Sequence, residues 1–283
     1  MSELIQLGDK IDTLEKEFLN FEQVSCNVVH SFGPGTYIRE LTVPADSYVI
    51  GHHQNFDHLN IFLKGKVSIV NEDKSITVLT APMTFIGKPG RKVGYVHEEM
   101  VWLNVYPTDE RDVEKLEAHL LTKSNGWIES SESIEAIGLL DNKVNHDDFE
   151  SAISELGFTK EVVLSQSENT DDLIELPFGS YKIKVSDSKI QGKGLFATSD
   201  INEGELIAQS IIDGKRTTAE RFTNHSKSPN AKMVETENGN INLVATRKIK
   251  GCFGGFNGEE ITINYREAVK LTLKIKSEVK CQE

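Results

Sequence analysis

Apolar positions along the chain follow four successive patterns. In residues 9–20, Ile11, Leu14, Phe18 and Leu19 recur at helical spacing, which predicts a short amphipathic helix. From residue 27 to 108 the pattern shortens. Runs such as NVVHSF, TYIRELTV, LNIFLKG, SITVL and MVWLNVY alternate with the turn signals GPG, PADS, NEDK and KPG. Several strands at short regular spacing predict a β-sandwich or barrel. Residues 109–175 turn helical. DERDVEKLEAHLL opens with acidic residues, as the positive end of a helix dipole prefers. HDDFESAISELGF opens the same way and stops at Gly157. Strand signals return from Pro177 in SYKIKVSDS, GLFATS, ELIAQSII, INLVATRKI and EEITINY. The expected fold class is mainly β, with a helical segment at 1–26, a barrel at 27–108, a helical connector at 109–176 and a second β domain with a tail at 177–283.

Composition narrows the function classes. A chain of 283 residues suggests two domains. The net charge is −13, and it is unevenly spread: residues 1–177 hold 14 Lys+Arg against 31 Asp+Glu, whereas residues 178–283 hold 17 against 13. Such an acidic chain is a poor partner for nucleic acid, because phosphate neutralisation needs clustered Lys and Arg. No apolar run approaches the roughly 20 residues that cross a bilayer. The start, MSELIQLGDK, lacks the basic-then-apolar order of a secretory signal. The three cysteines, Cys26, Cys252 and Cys281, share no short spacing. This excludes a disulfide scaffold and a four-cysteine zinc module, and it suits a reducing compartment. The expectation is a cytoplasmic protein with no nucleic-acid or membrane partner.

Three carboxy-terminal segments stand in a telling order. The first is Gly192-Lys193-Gly194-Leu195-Phe196-Ala197. The second is Arg221-Phe222-Thr223-Asn224-His225-Ser226 with Pro229-Asn230-Ala231. The third is Gly258-Glu259-Glu260 ending at Tyr265. Together they resemble the SET domain of protein-lysine methyltransferases over residues 178–268. The resemblance implies small β-sheets whose last segment threads beside the Asn-His segment as a pseudoknot. It implies S-adenosyl-L-methionine as methyl donor, held by Gly192, Lys193, Gly194 and Leu195 on one side and by Asn224 and His225 on the other. It makes Tyr265 the catalytic hydroxyl and a lysine-bearing protein the substrate. Those residue types suit the chemistry. Methyl transfer is an in-line displacement, so catalysis is mostly alignment, and a fixed hydroxyl can stabilise charge as it shifts.

The chain departs from the family pattern in three places. Only 29 residues separate Gly194 from Asn224, and IIDGKRTTAERF stands where the family has a Tyr-x-Gly element. GCFGGFN (251–257) reads as an insertion before Gly258. No Cys-rich module follows the domain, which leaves the tail LTLKIKSEVKCQE to close the site. These traits resemble compact viral and bacterial SET proteins, which would place the chain in the host cytoplasm if it is viral.

The first β domain resembles a cupin, a double-stranded β-helix barrel. GHHQNFDHLNIFLKGKV matches the first cupin motif, with His58 seven residues before Gly65 where the family usually has Glu. Gly87-Lys88-Pro89-Gly90, His97 and Asn104 match the second. The resemblance implies a divalent-metal site from His58, His97 and one of His52 and His53. Neighbours on a strand face opposite sides; parity over an unbroken strand groups His52 with His58, whereas a loop at QNFD would break the count. Three imidazoles suit zinc, iron, copper or nickel alike. An empty barrel serving for ligand binding or homo-oligomer assembly is the other reading. Three functions stay open: a lysine methyltransferase, a non-catalytic interaction or viral structural protein, and a cupin metal-binding protein with an accessory SET domain.

Overall fold

The computed structural model describes residues 2–71, 75–141 and 143–271. The chain is mainly β and folds as two compact units. The first gathers the described residues up to Glu135 together with Phe178–Ser180 and Gly251–Asn257. The second gathers Ala136–Pro177, Tyr181–Lys250 and the described residues from Gly258 onward. These units do not coincide with boundaries at 26, 108 and 176. The expected connector is divided, and two short stretches of the carboxy-terminal half join the barrel. Periodicity reports which face of an element is apolar, not which core that face joins.

In the first unit, helix α1 (Ser2–Phe18) precedes strands β1 (Asn27–Gly33), β2 (Thr36–Val43), β3 (Ser47–Ile50), β4 (His53–Gln54), β5 (His58–Val70), β6 (Ile76–Thr80), β7 (Met83–Gly87) and β8 (Val93–Pro107). Helix α2 (Val113–Leu120), strand β9 (Leu121–Thr122) and helix α3 (Asn125–Asp141) follow, the last running on past Glu135 into the second unit. The main sheet runs β1-β2-β8-β5-β6, with β3 on β8 and β7 on β5. Two long strands each serve two sets of partners. β5 pairs with β7 through His58–Phe62 and with β6 through Lys66–Val70. β8 pairs with β3 through Val93–Val96 and with β2 through Met100–Pro107. Strands shared in this way fold the sheet over on itself as a cupin-like barrel. The bend in β5 lies at Gly65, whose φ is +97°, where the register with β8 shifts. A side-chain carbon there would come 2.8 Å from the Glu98 carbonyl oxygen, so only glycine fits this bulge.

Alternation decides what faces the interior. β1 buries Val28, His30 and Phe32, and β5 buries His58, Asn60 and Phe62, then Val67 and Ile69 beyond the bulge. The segment expected as an insertion, Gly251–Asn257, packs within this unit. Phe256 stacks on Trp127 with ring centroids 5.4 Å apart, and the Cys26 N–H donates to the Cys252 carbonyl at 2.9 Å.

In the second unit, helices α4 (Lys143–Glu155) and α5 (Lys160–Glu168) lead to strands β10 (Leu173–Ile174), β11 (Gly179–Tyr181), β12 (Ile183–Asp187), β13 (Lys193–Ala197), β14 (Leu206–Ile212) and β15 (Lys215–Thr217). Helix α6 (Thr218–Arg221) and strands β16 (Asn224–His225), β17 (Ala231–Glu235), β18 (Ile241–Ala245) and β19 (Glu260–Ile263) complete it. Of these, β11 lies beside β1 in the barrel's sheet, and its Gly179 and Ser180 belong to the first unit. One sheet runs β10-β15-β14-β18-β17 and the other β12-β13-β19-β16. Leu195, Leu243, Ile249 and Ile261 lie at the centre of the shared core. β19 pairs antiparallel with β13 on one side and parallel with β16 on the other. This is the threading that the SET resemblance implies. The expected closing tail lies, from residue 272 on, outside the described residues.

Candidate active site

The threading of β19 gathers the three sequence segments. β16 pairs Asn224 with Thr262 and His225 with Ile263, and Tyr265 follows two residues beyond β19. The buried Asn224 amide Nδ2 donates to the carbonyls of Gln191 at 3.2 Å and Lys193 at 3.0 Å, and to Glu260 Oε1 at 2.8 Å. It thereby ties the glycine turn to the Asn-His segment. Ser188 Oγ donates to the same Glu260 oxygen at 2.7 Å. Gly192, at φ +53°, takes a conformation that side chains resist, and the space where its Cβ would lie is open. Gly194 is bare for a different reason. A carbon there would sit 2.9 Å from Glu260 Cδ and 3.0 Å from Ser188 Cβ. The Lys193 ammonium pairs with Asp187 at 3.4 Å. Leu195 stands apart from the turn, as a core residue paired with Val185 and Ile261 on its two flanking strands.

His225 is fully buried and held at both ring nitrogens. The Tyr265 N–H donates to Nδ1 at 3.1 Å. Nδ1 is therefore the acceptor, and Nε2 carries the hydrogen that it donates to Asp148 Oδ2 at 2.8 Å. Arg266 braces the same carboxylate and also pairs with Glu155. Its hydrogen bonds, with those of His225, hold Asp148 below the usual carboxylate range. Phe149, 1% exposed, meets the Tyr265 ring edge to face at 6.1 Å. The Tyr265 hydroxyl donates to the Thr223 carbonyl at 3.2 Å. Burial, then the charges of Glu220 and Glu260, push this hydroxyl well above its ordinary value, so it stays protonated as a donor.

Asp148, Phe149, Glu220 and Arg266 are site residues that the sequence motifs do not reveal. Glu220 on α6 is pushed up to about 7, mainly by burial, with Arg216 pulling it down and Asp172 adding to the rise. The folded state thus holds a proton that the unfolded chain has already released. The associated stability is present below the unfolded carboxylate value and is lost as pH rises to about 7. Glu220→Gln should therefore be more stable than the parent at pH 8 by on the order of 3 kcal/mol and match it at pH 4. Thermal melts across that range check this.

The barrel histidines do not form the expected metal set. Among the described residues, no group of three or more His, Cys, Asp or Glu could hold a metal ion. His97 is exposed on β8, next to the inward-facing Val96, and its Nε2 shares a 2.7 Å hydrogen bond with Ser68 Oγ. His53 lies on β4, paired with Thr122 of β9. His52 and His58 do line one cavity, although the strand is broken at residues 55–57, so parity along an unbroken strand is not the reason. His58 Nδ1 is engaged with the Phe56 carbonyl at 2.9 Å. The motif count fixes spacing along the chain, but strand alternation places His97 on the outer face.

A family model of the SET domain matches residues 208–266. The chain carries a SET domain. The match includes Asn224, His225 and Tyr265 and begins after the glycine turn. No curated protein matches the chain. Solved structures similar to part of it include two cupin domains. A cupin-2 domain protein of Shewanella frigidimarina shares 18% identity over 33% of this chain and 91% of that one, with a TM-score of 0.24. A cupin domain from Bordetella pertussis shares 10% over 31% and 99%, with a TM-score of 0.26. The iron(II) form of HppE shares 10% over 25% of this chain and 43% of that one, with a TM-score of 0.22. No helix among the described residues is long and apolar enough to cross a membrane.

Proposed function

We propose that the SET unit transfers a methyl group from S-adenosylmethionine to the side-chain amine of a lysine in a protein partner. The observation that carries this reading is the threading of β19 beside β16, which brings Gly192, Asn224, His225 and Tyr265 to one place. The residues suit the donor. The space beside Gly192 lets a ligand lie against the turn's backbone, and Asn224 keeps that turn in shape. The Glu260 carboxylate supplies negative charge to match a sulfonium. When bound, S-adenosylmethionine supplies an activated methyl group on that sulfonium. The turn at 192–194 and the Asn224-His225 segment would hold it. Tyr265, protonated and fixed by Phe149 and His225, would orient the reacting groups. A lysine amine titrates at about 10.4 in water, and dry surroundings beside a cation lower that value and free the attacking lone pair.

The test is incubation of the full chain with methyl-labelled donor and a mixture of lysine-rich proteins, followed by acid hydrolysis. Label recovered as methyl-lysine is the expected result. Folded protein that binds donor and yields no label contradicts the reading. One observation favours a second reading, binding without turnover: α4 sets Asp148 on His225 and Phe149 on Tyr265. That reading requires that Phe149→Ala, which uncovers Tyr265, yield label where the parent yields none.

A further inference from the structure

The first unit encloses a cavity of about 570 Å³, a volume in the range of small-molecule sites. Leu41, Val43, Val67, Ile69, Met100 and Trp102 give it apolar walls. Four polar side-chain atoms among its lining residues are buried without a hydrogen-bond partner: Arg39 Nε, His52 Nδ1, Asn60 Nδ2 and Trp127 Nε1. The Asn60 orientation is settled by its neighbours, since Oδ1 accepts from Trp102 Nε1 at 2.8 Å and from Asn104 Nδ2 at 2.7 Å. Arg39 Nε, Asn60 Nδ2 and Trp127 Nε1 can only donate. These three atoms are closed off by the surrounding wall, whereas Arg39 as a whole is only half-buried and lines the cavity; a guanidinium left there without a partner is costly. The same atoms cannot coordinate a metal.

Charge points the same way. Among the described residues the Arg39 guanidinium makes no hydrogen bond or ion pair. The Glu15 carboxylate, which also lines the cavity, is neutralised by Arg91. Glu117 lends Arg39 a favourable field, but it is itself paired with Lys123 at 3.3 Å. At the exposed rim, Lys88 is paired with Asp57 at 2.6 Å, and Lys92, Glu22 and Asp46 are the other charged residues there. His52 is driven down to about 3, by burial and then by the charge of Arg39, and so adds no cation of its own.

We propose that this barrel is a binding site for a small organic carboxylate with an apolar body, its anionic end on the Arg39 guanidinium. A planar guanidinium fork matches a carboxylate, and the apolar walls take the remainder. Inorganic phosphate has nothing to fill them.

The experiment is calorimetric titration of the full chain with 3-phenylpropanoate and hexanoate, with 3-phenylpropanamide and inorganic phosphate as controls. Saturable binding of a carboxylate, at least tenfold tighter than the amide, is expected. Arg39→Met should weaken that binding at least tenfold while keeping the free protein's melting temperature or raising it, because the change removes an unpaired buried charge. Arg39→Lys should retain part of the affinity. Equal affinity for carboxylate and amide, phosphate binding alone, or no heat from either carboxylate would overturn the proposal. Should Arg39→Met fail to fold, the carboxylate-to-amide ratio on the parent protein decides.

Discussion

Tyr265→Phe should lower methyl transfer by about 10²–10³ while donor affinity stays unchanged. The substitution removes one oxygen. The ring keeps its packing on Phe149 and His225, so the fold has little to lose. What goes is a donor held over the buried Thr223 carbonyl at 3.2 Å. That bond is long, and losing it costs about 1 kcal/mol of stability. A placed hydroxyl in an enclosed site is worth several times more to a transition state that redistributes charge. The expected pattern is therefore a large rate loss with a small shift in melting temperature. A tyrosine that only packs would give the opposite pattern, with stability falling and the rate per folded molecule unchanged. Initial rates, donor affinity and melts on the same preparations separate these outcomes.

Gly194→Ala should be the more disruptive change at the glycine turn, costing about 3 kcal/mol or more and abolishing donor binding. The new carbon would sit 2.9 Å from Glu260 Cδ, so the carboxylate must leave. Its hydrogen bonds from Ser188 and Asn224 would go with it. A buried carboxylate without those donors is strongly unfavourable, and burial already pushes Glu260 above the usual range. Gly192→Ala offers a contrast. Its Cβ meets open space, and the cost is the left-handed backbone alone, about 1–2 kcal/mol. Chemical denaturation of both variants checks the order. A Gly194→Ala protein as stable as Gly192→Ala would show that Glu260 does not hold the turn.

Part of this site is legible in the amino-acid sequence alone. The glycine turn, Asn224 and Tyr265 lie in an ordered set of segments, and their order encodes the threading of β19. The meaning of Gly194 is not legible there, because bareness for a ligand and bareness for a neighbouring carboxylate look alike in one dimension. Asp148 lies 77 positions before His225 in what reads as a polar connector, and no spacing rule joins residues so far apart. In the barrel, the His58 motif is legible as spacing, but the break between Gln54 and His58 means that parity does not place His52. His97 keeps the motif's spacing and misleads, because β8 turns it outward beside Val96. Arg39 and Trp127 carry no motif. Only their burial, with polar atoms lacking partners, marks them out.

The most direct measurement of the central claim is calorimetric titration of the full chain with S-adenosylmethionine, on the parent and on Asn224→Ala, with melts confirming that both are folded. The parent should bind one donor per chain. Asn224→Ala, which frees the carbonyls of Gln191 and Lys193, should bind at least tenfold more weakly. Folded parent protein that gives no heat, or an Asn224→Ala protein that binds as tightly as the parent, would contradict the assignment of this site.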